Sequence, residues 1–273
     1  MKIISIYNNK GGVGKTTISI NLAACLDAKR YSILVVDMDE QANTSKVFTT
    51  YMDKEKLAER NTLEDAMIGN ADINDCIYQV PVKKKRQIGN KKEIVTSRIS
   101  VLPNNRHLKD VLRNYTYDSD DIKILHQMLN KINKEYDMAI IDCTPQMNAE
   151  TELALYASDY VIVPVWADIF SLDGWEGVYN NVKEMQERGN ESLKVIGVVM
   201  NSFNGNTSQE NELAMKFMDV FDDLLFETVI RNSTVVRQAN TAGIPLVYYK
   251  PKENVTMDFI EFTDEVLERI RKG

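Results

Sequence analysis

Residues 3–17 have the sequence IISIYNNKGGVGKTT, in which an apolar run leads through a glycine-rich turn to Lys15-Thr16-Thr17. The run Ile3–Tyr7 predicts a buried strand, and Lys15–Lys29 predicts a helix that begins directly after the turn. Glycines allow successive backbone N–H groups to point towards phosphate oxygens, and the helix start adds unpaired N–H groups and a positive dipole end. This context predicts a phosphate-binding P-loop rather than a turn that only joins a strand to a helix.

Individual residues of this loop have distinct predicted contacts. Lys15 supplies a positive charge for the β- and γ-phosphates, the Thr16 hydroxyl ligates Mg²⁺, and Thr17 reaches the α-phosphate. The predicted cofactors are therefore ATP and Mg²⁺. The predicted nucleotide-binding residues of the loop are Lys10, Gly11, Gly12, Val13, Gly14, Lys15, Thr16 and Thr17.

The start of the loop departs from the ordinary pattern G-x-x-x-x-G-K-[ST], because Asn9 stands where a glycine is expected and Lys10 follows it. A second lysine cannot easily fold back onto phosphates whose face Lys15 already occupies. We therefore expect Lys10 to reach a nucleotide held by a second copy of the chain, so that ATP holds a homodimer together. An exposed loop lysine is the alternative. The loop resembles that of the ParA/MinD superfamily of deviant Walker-A ATPases, in which such a lysine is the signature residue, and the whole chain resembles its Soj- and ParA-type DNA partition members most.

A group of acids follows the predicted strand Ser32–Asp37, in the sequence Asp37-Met38-Asp39-Glu40-Gln41-Ala42-Asn43. Ligands of open α/β sheets bind at the carboxyl ends of the strands, so these acids are expected beside the P-loop. The segment resembles the family motif D-x-D-P-Q-G-N, which implies that Asp39 polarises the attacking water. Asp37 is expected to orient Mg²⁺ waters or the P-loop, and a helix cap is the alternative for Asp39. Glu40 and Ala42 replace the usual proline and glycine.

Another predicted strand, Met138–Asp142, ends in an acid and has the pattern of a Walker B motif, which delivers a carboxylate to the Mg²⁺ shell. Thr144 replaces one of the prolines usual in the family. We expect hydrolysis to be slow until a second subunit and a partner protein complete the site. The predicted catalytic residues are Lys10, Lys15 and Asp39, and the predicted metal site comprises Thr16, Asp37, Asp39 and Asp142.

Two later residues are predicted to surround the base. Asn201 ends the predicted strand Val195–Asn201, where the family uses an asparagine that pairs with the adenine edge; an asparagine that closes a turn is the alternative. Pro245 lies in a segment that resembles the late G-x-P loop of the family, which packs against the base.

The rest of the chain alternates apolar runs with helical patterns, which predicts βαβ units and a mostly parallel sheet with helices on both faces. We interpret residues 1–273 as a single α/β P-loop NTPase domain. Pro81–Pro103 breaks the rhythm and is predicted to be a basic, exposed hairpin or loop inserted beside the sheet. The other predicted strands are Tyr160–Val165 and, more weakly, Leu225–Val229; the other predicted helices are Asp121–Lys134, Glu150–Ala157, Trp175–Arg188, Gln209–Asp222 and Met257–Arg271.

The resemblance implies DNA partition, in which an ATP-loaded homodimer binds DNA non-specifically through basic side chains and a ParB-like centromere-binding protein stimulates hydrolysis. The predicted location is the cytoplasm, at the nucleoid when ATP is bound. A solvated basic surface is the alternative for each basic group. The candidate DNA-binding residues are Lys83, Lys84, Lys85, Arg86, Arg231 and Arg237.

A MinD-like role at a membrane is the main alternative function. The C-terminal segment has an apolar stripe of Phe259, Phe262, Val266 and Ile270, but acids accompany it that would face anionic lipid, so stable membrane association is not expected. An electron-transfer or metal-insertion ATPase would be expected to pair cysteines, and the 3 cysteines are widely spaced.

Composition sets outer limits on these interpretations. The formal net charge of −7 argues against a generally basic nucleic-acid binder but leaves room for a local basic patch. The sequence contains neither a signal-peptide pattern nor an apolar stretch long enough to span a membrane.

Overall fold

The computed structural model describes residues 1–50, 59–81, 83–88, 91–113, 120–168, 171, 174–205 and 208–272. Its strands are β1 (Lys2–Ile6), β2 (Ile33–Asp37), β3 (Tyr78–Gln79), β4 (Lys83–Ile88), β5 (Lys91–Thr96), β6 (Ile99–Leu102), β7 (Met138–Asp142), β8 (Tyr160–Val165) and β9 (Lys194–Met200). Its α-helices are α1 (Lys15–Ala28), α2 (Asn43–Thr49), α3 (Leu63–Met67), α4 (Leu108–Leu112), α5 (Ile124–Leu129), α6 (Ala149–Tyr156), α7 (Trp175–Glu187), α8 (Ser208–Phe221), α9 (Thr234–Ala242), α10 (Leu246–Tyr249) and α11 (Asn254–Lys272). Short 3₁₀ helices lie at Ile73–Cys76, Asp121–Lys123 and Asp222–Leu224.

The main sheet has the strand order β3-β6-β2-β7-β1-β8-β9, and all neighbouring strands are parallel except β3, which is antiparallel to β6. Its central strands are buried along their whole length, as expected where helices cover both faces. Helices α3 to α8 contribute to the core on one face, and α1, α2 and α9 to α11 contribute to the core on the other. The predicted α/β fold is confirmed.

The register of the central strands positions the functional site. Ile6, the last residue of β1, pairs with Asp142 at the end of β7, and Asp37 at the end of β2 pairs with the same Asp142. The loops that follow these three strands therefore leave the sheet side by side at its carboxyl edge, where ligands of such sheets bind.

The segment Pro81–Pro103, which was predicted to be an exposed hairpin or loop inserted beside the sheet, divides into two parts. Strands β4 and β5 pair with each other in an antiparallel ribbon, which corresponds to the hairpin among the two predicted forms. The exposure of their side chains lies outside the described residues and stays a prediction. Ile99–Leu102 is instead a fully buried strand of the main sheet, parallel to β2, so the predicted extent of the insertion to Pro103 was wrong. Asp27 causes the division, because its carboxylate accepts hydrogen bonds from Ser97 Oγ (3.2 Å) and Arg98 N (2.9 Å) and fixes the chain immediately before β6.

Two other predicted elements are shorter than expected. The helix predicted for Asp121–Lys134 ends as α5 at Leu129, because Lys131 N and Ile132 N turn to bond the carbonyls of Met128 and Leu129. The weak strand predicted for Leu225–Val229 is an isolated bridge between Leu225 and Val198. Among the described helices, none is both long enough and apolar enough to cross a bilayer.

Candidate nucleotide-binding site

The glycine-rich loop forms a cradle in front of α1. Gly14 takes a left-handed conformation (φ 96°), and within the described residues no side chain caps the helix start that it precedes. Its first backbone N–H groups therefore remain available to an anion. A Cβ atom at Gly14 would lie 2.1 Å from Asn201 Nδ2, so both the backbone conformation and the close approach of Asn201 require glycine here.

Lys15 lies inside this cradle and is only 6% exposed. Its Nζ donates to the carbonyls of Asn8 and Lys10, at 3.0 Å each, so the loop curls around the ammonium group. Burial lowers the pKa of Lys15 below its ordinary value, and the nearby Asp142 opposes this effect. The buried ammonium group is thus held by loop carbonyls, where a bound triphosphate would attract it.

A cavity of about 400 Å³ opens in front of the loop, and its walls include Lys15, Thr16, Asp39, Glu40 and Gln146. Clefts of a few hundred Å³ are typical of small-molecule sites. The P-loop and the segment after β2 therefore share one cavity, as predicted, and Glu40 adds a second acid to its wall.

Asp142 is fully buried and accepts hydrogen bonds from three hydroxyl groups, one of which belongs to Thr16 in the cavity wall. Its Oδ2 accepts from Thr16 Oγ1 (2.8 Å) and Thr44 Oγ1 (2.6 Å), and its Oδ1 accepts from Ser19 Oγ (3.0 Å). Burial raises the pKa of Asp142, and the hydroxyls of Thr44 and Thr16 partly offset this. A hydroxyl beside one carboxylate suits Mg²⁺, which takes one or two protein ligands and completes its shell with phosphate oxygens and water. The residues present fit this ion.

Asp37 and Asp39 have different surroundings, although they are close in sequence. Asp37 is fully buried, and its oxygens accept from Ser45 N (2.7 Å), Ser45 Oγ (2.6 Å) and Asp39 N (3.1 Å). Burial, together with the charge of Asp142, raises the pKa of Asp37. Asp37 thus fixes the segment between β2 and α2, and its role in the metal site stays a prediction. Asp39 lines the cavity, as the prediction for the attacking water requires.

Lys10 lies at the start of the loop, and its side chain is 31% exposed. Its Nζ bonds both carboxylate oxygens of Asp168, at 2.7 and 2.8 Å, just after β8. The same ammonium group lies 6.0 Å from the centre of the Trp166 ring. The two lysines of the loop therefore have different surroundings. Lys15 is buried and lines the cavity, whereas Lys10 is partly exposed and pairs with Asp168.

The residues predicted to surround the base lie at the opposite end of the loop. Asn201 Nδ2 donates to the carbonyl of Val13 (2.8 Å), which holds the P-loop in place, so pairing with adenine stays a prediction. Pro245 precedes α10, and Asn21 Oδ1 accepts from the next amide, Leu246 N (2.8 Å). Asn240, the first residue of the segment predicted to resemble the late G-x-P loop, brings its Nδ2 within 3.4 Å of Thr17 Oγ1 and so lies at the same end.

The candidate DNA-binding residues are not equivalent in the structure. Arg231 is committed to the buried Asp258 through two hydrogen bonds of 2.7 Å, which also raise the pKa of the guanidinium group. Arg237 is exposed on α9. The backbone of Lys83, Lys84, Lys85 and Arg86 forms most of β4, and the side chains of these four residues lie outside the described part of the molecule.

Sequence reasoning missed several residues of the site. Ser19 and Thr44 were not singled out, although a hydroxyl one helical turn after Lys15 and another in the segment after β2 were available signals. Trp166 and Asp168 were missed because only the pairing of β8 with β1 brings them to the loop.

A glycine-rich cradle at a helix start, a buried lysine and a strand-ending acid beside a threonine define a P-loop nucleotide-binding protein. The chain belongs to the AAA domain family, whose model matches residues 1–195. It is also a member of the ParA/MinD superfamily, close to Soj and ParA.

Three relatives illustrate this similarity. The sporulation initiation inhibitor protein Soj of Bacillus subtilis is 29% identical over 265 residues, which cover 97% of this chain and 98% of Soj. The chromosome partitioning protein ParA of Caulobacter vibrioides is 27% identical, and the match covers 99% of this chain and 96% of ParA. The structure of the septum site-determining protein MinD of Pyrococcus horikoshii, complexed with Mg-ADP, has a TM-score of 0.73 and 26% identity over 97% of this chain and 95% of MinD.

Proposed function

We propose that this protein is a Mg²⁺-dependent ATPase that dimerises around ATP, binds DNA non-specifically as a dimer and releases it on hydrolysis, and so partitions a plasmid or a chromosome. The observation that carries the proposal is the difference between the surroundings of the two lysines in the loop. Lys15 is buried within the cradle, whereas Lys10 is partly exposed at the start of the loop, where a second copy can approach.

The residues of the chain have separate roles in this reaction. Lys15 and the amides at the start of α1 hold the triphosphate, and the Thr16 hydroxyl and Asp142 hold Mg²⁺, which neutralises phosphate charge when bound. Asp39 orients the attacking water, and Lys10 of the second copy stabilises the charge that develops on the transferred phosphoryl group. A monomer has no second copy to supply this lysine, so ATP hydrolysis is slow until the protein dimerises. A ParB-like partner accelerates hydrolysis further.

DNA as the cargo is supported by the similarity to ParA, whose name describes chromosome partitioning. Basic side chains on β4 and the exposed Arg237 are the contacts we favour. Arg231 is the weaker candidate because Asp258 offsets its charge. Binding to DNA would hold the ATP-loaded dimer at the nucleoid.

A MinD-like membrane role is less well supported, because the apolar stripe of α11 already packs against the rest of the domain. Phe259, Phe262 and Val266 are fully buried against the domain. A helix that binds a lipid surface must offer that face to the bilayer instead.

The proposal is tested by a gel shift of random-sequence DNA with ATP, ADP or no nucleotide across a series of salt concentrations. We expect binding with ATP alone, weakening steeply as salt rises. Lys15→Ala is the control that should abolish binding. Asp39→Ala should trap the ATP-loaded dimer and tighten DNA binding, and undiminished phosphate release by this variant would reassign the catalytic acid. Equal DNA binding with ATP and ADP, or pelleting with anionic vesicles instead, would contradict the partition role.

A further inference from the structure

Trp166 is an exposed aromatic residue on the lip of the phosphate loop. It directly follows β8, and 40% of its surface is exposed, whereas tryptophan is usually well buried in folded proteins. Its Cη2 atom lies 3.8 Å from the position that a Cβ atom would take at Gly12, so the indole lies against the loop. The indole lies apart from the cavity wall that includes Lys15, Thr16 and Asp39.

The chain around Trp166 is held in place by its own hydrogen bonds. Asp168 N donates to the carbonyl of Trp166 (2.8 Å), and Ser171 N donates to the Asp168 carboxylate (2.8 Å). The Asp168 carboxylate in turn binds Lys10. Indole, ammonium group and carboxylate therefore form one lip, and the Trp166 ring is adjacent to the ammonium group of Lys10.

We propose that Trp166 belongs to the surface through which two ATP-loaded copies of this chain meet. The inference rests on the proposed function, since it takes the phosphates bound by the second copy as the target of Lys10. To accept a hydrogen bond from Lys10, those phosphates must come within about 3 Å of Nζ. The indole is centred 6.0 Å from the same atom, so a second copy that brings its phosphates to Lys10 also packs beside the indole.

Covering the indole has two physical consequences. It removes apolar surface from water at the centre of the contact, where tryptophan residues tend to carry much of the binding energy. It also excludes water around Lys10, which strengthens the attraction between the ammonium group and the partner's phosphates. Trp166 thus acts on dimerisation and on the positioning of Lys10, without touching the nucleotide of its own chain.

The first experiment is sedimentation velocity with Mg²⁺ and the non-hydrolysable analogue AMP-PNP over a range of protein concentrations. We expect Trp166→Ala to raise the dimer dissociation constant at least about tenfold and Trp166→Phe to raise it less, as for a residue central to an interface. Ile68→Ala removes another large exposed side chain, directly after α3, and should have no effect. AMP-PNP binding to the monomer, measured on the same variants, shows that they fold.

A Trp166→Ala protein that dimerises like the wild type would overturn the inference but leave the proposed function standing. A wild type that stays monomeric would refute both.

The second experiment keeps Trp166 and removes the other tryptophan. The chain has 2 tryptophans, and Trp175 packs edge-on against Phe221 at 5.2 Å, so Trp175→Phe preserves an aromatic contact. With saturating AMP-PNP, the emission of Trp166 should change as protein concentration rises through the dimerisation range. A change that is complete at all concentrations, or absent throughout, would contradict burial between two copies.

Discussion

At the scale of single residues, Lys10 and Lys15 show how two identical side chains in one loop acquire different roles. Lys15 is surrounded by loop carbonyls, and Lys10 is partly exposed and paired with Asp168. We predict that Lys15→Ala abolishes nucleotide binding, because the cradle loses its only buried cation among the residues described. Lys10→Ala should still bind ATP but should neither dimerise nor hydrolyse it. Fluorescent-nucleotide titration and light scattering measure the two properties separately. ATP-dependent dimerisation of Lys10→Ala would exclude the role in trans.

Ala42 stands where the family usually has glycine, and its backbone explains why glycine is usual there. Ala42 precedes α2 in the left-handed region (φ 49°), which is unfavourable for a residue with a Cβ atom. We predict that Ala42→Gly stabilises the protein by about 0.5–1 kcal/mol, since relief of this strain exceeds the entropy that glycine adds to the unfolded chain. Urea unfolding of the nucleotide-free protein measures the change.

A control for this substitution is Ala66→Gly in the interior of α3, which should destabilise the protein because no backbone strain is relieved there. Equal losses of stability in both variants would show that the left-handed backbone of Ala42 costs nothing.

The residues that could be predicted from the sequence are those that belong to a short, recognisable sequence motif. The P-loop and Asp39 follow a strand and Asp142 ends one, each within a short motif, so their spacing alone indicated their position. Trp166 and Asp168 carry no such pattern, and their contact with Lys10 arises from the pairing of β8 with β1. The surroundings of Asp37 could not be predicted either, because they depend on how Ser45 at the start of α2 folds back.

At the scale of elements, α6 carries an acidic residue, Glu150, whose buried position destabilises its charged form. Glu150 lies in the first turn of α6 and is 3% exposed. Burial raises the pKa of Glu150, and the charges of Glu40 and Asp39 add to the effect. The folded state therefore binds this proton more tightly than the unfolded state, so the stabilisation is present at pH values below the ordinary pKa and is lost as pH rises through the raised one.

We predict that Glu150→Gln is more stable than the wild type at neutral pH, by about 1 kcal/mol, and that the gain disappears towards pH 4. Urea unfolding between pH 4 and pH 8 measures it. Glu152→Gln is the matched control in the same helix turn, and it should lose stability because Glu152 pairs with Arg188 at 2.7 Å. A gain that does not depend on pH would show that packing, rather than charge, limits Glu150.

The strands that could be predicted were those with long, continuous apolar runs, such as Met138–Asp142 and Tyr160–Val165. Ile99–Leu102 was assigned to the insertion because the preceding residues Glu93–Arg98 alternate in the same way, and periodicity alone cannot show where one strand ends and the next begins. The division depends on hydrogen bonds from residues 97 and 98 to the distant Asp27, which no local pattern contains.

At the scale of the whole molecule, a chain with a net charge of −7 must confine any DNA contact to a local surface. The β4–β5 ribbon concentrates basic residues in one place, and its strands form a two-stranded sheet separate from the main one. Changes in the ribbon should therefore leave the nucleotide site intact. This separation makes it possible to test DNA binding without disturbing the ATP-dependent dimer.

We predict that replacing Lys83, Lys84, Lys85 and Arg86 by glutamine weakens ATP-dependent DNA binding and reduces its dependence on salt. Each lost phosphate contact should lower the slope of log affinity against log salt by about 0.9. Dimerisation with AMP-PNP should not change. The matched control replaces three exposed lysines and one exposed arginine elsewhere by glutamine, with the same change of net charge, at Lys131, Lys183, Lys216 and Arg271. If both quadruple variants lose the same affinity, net charge rather than the ribbon governs binding. If neither loses affinity, the contact lies elsewhere, and the exposed Arg237 on α9 becomes the residue to change next.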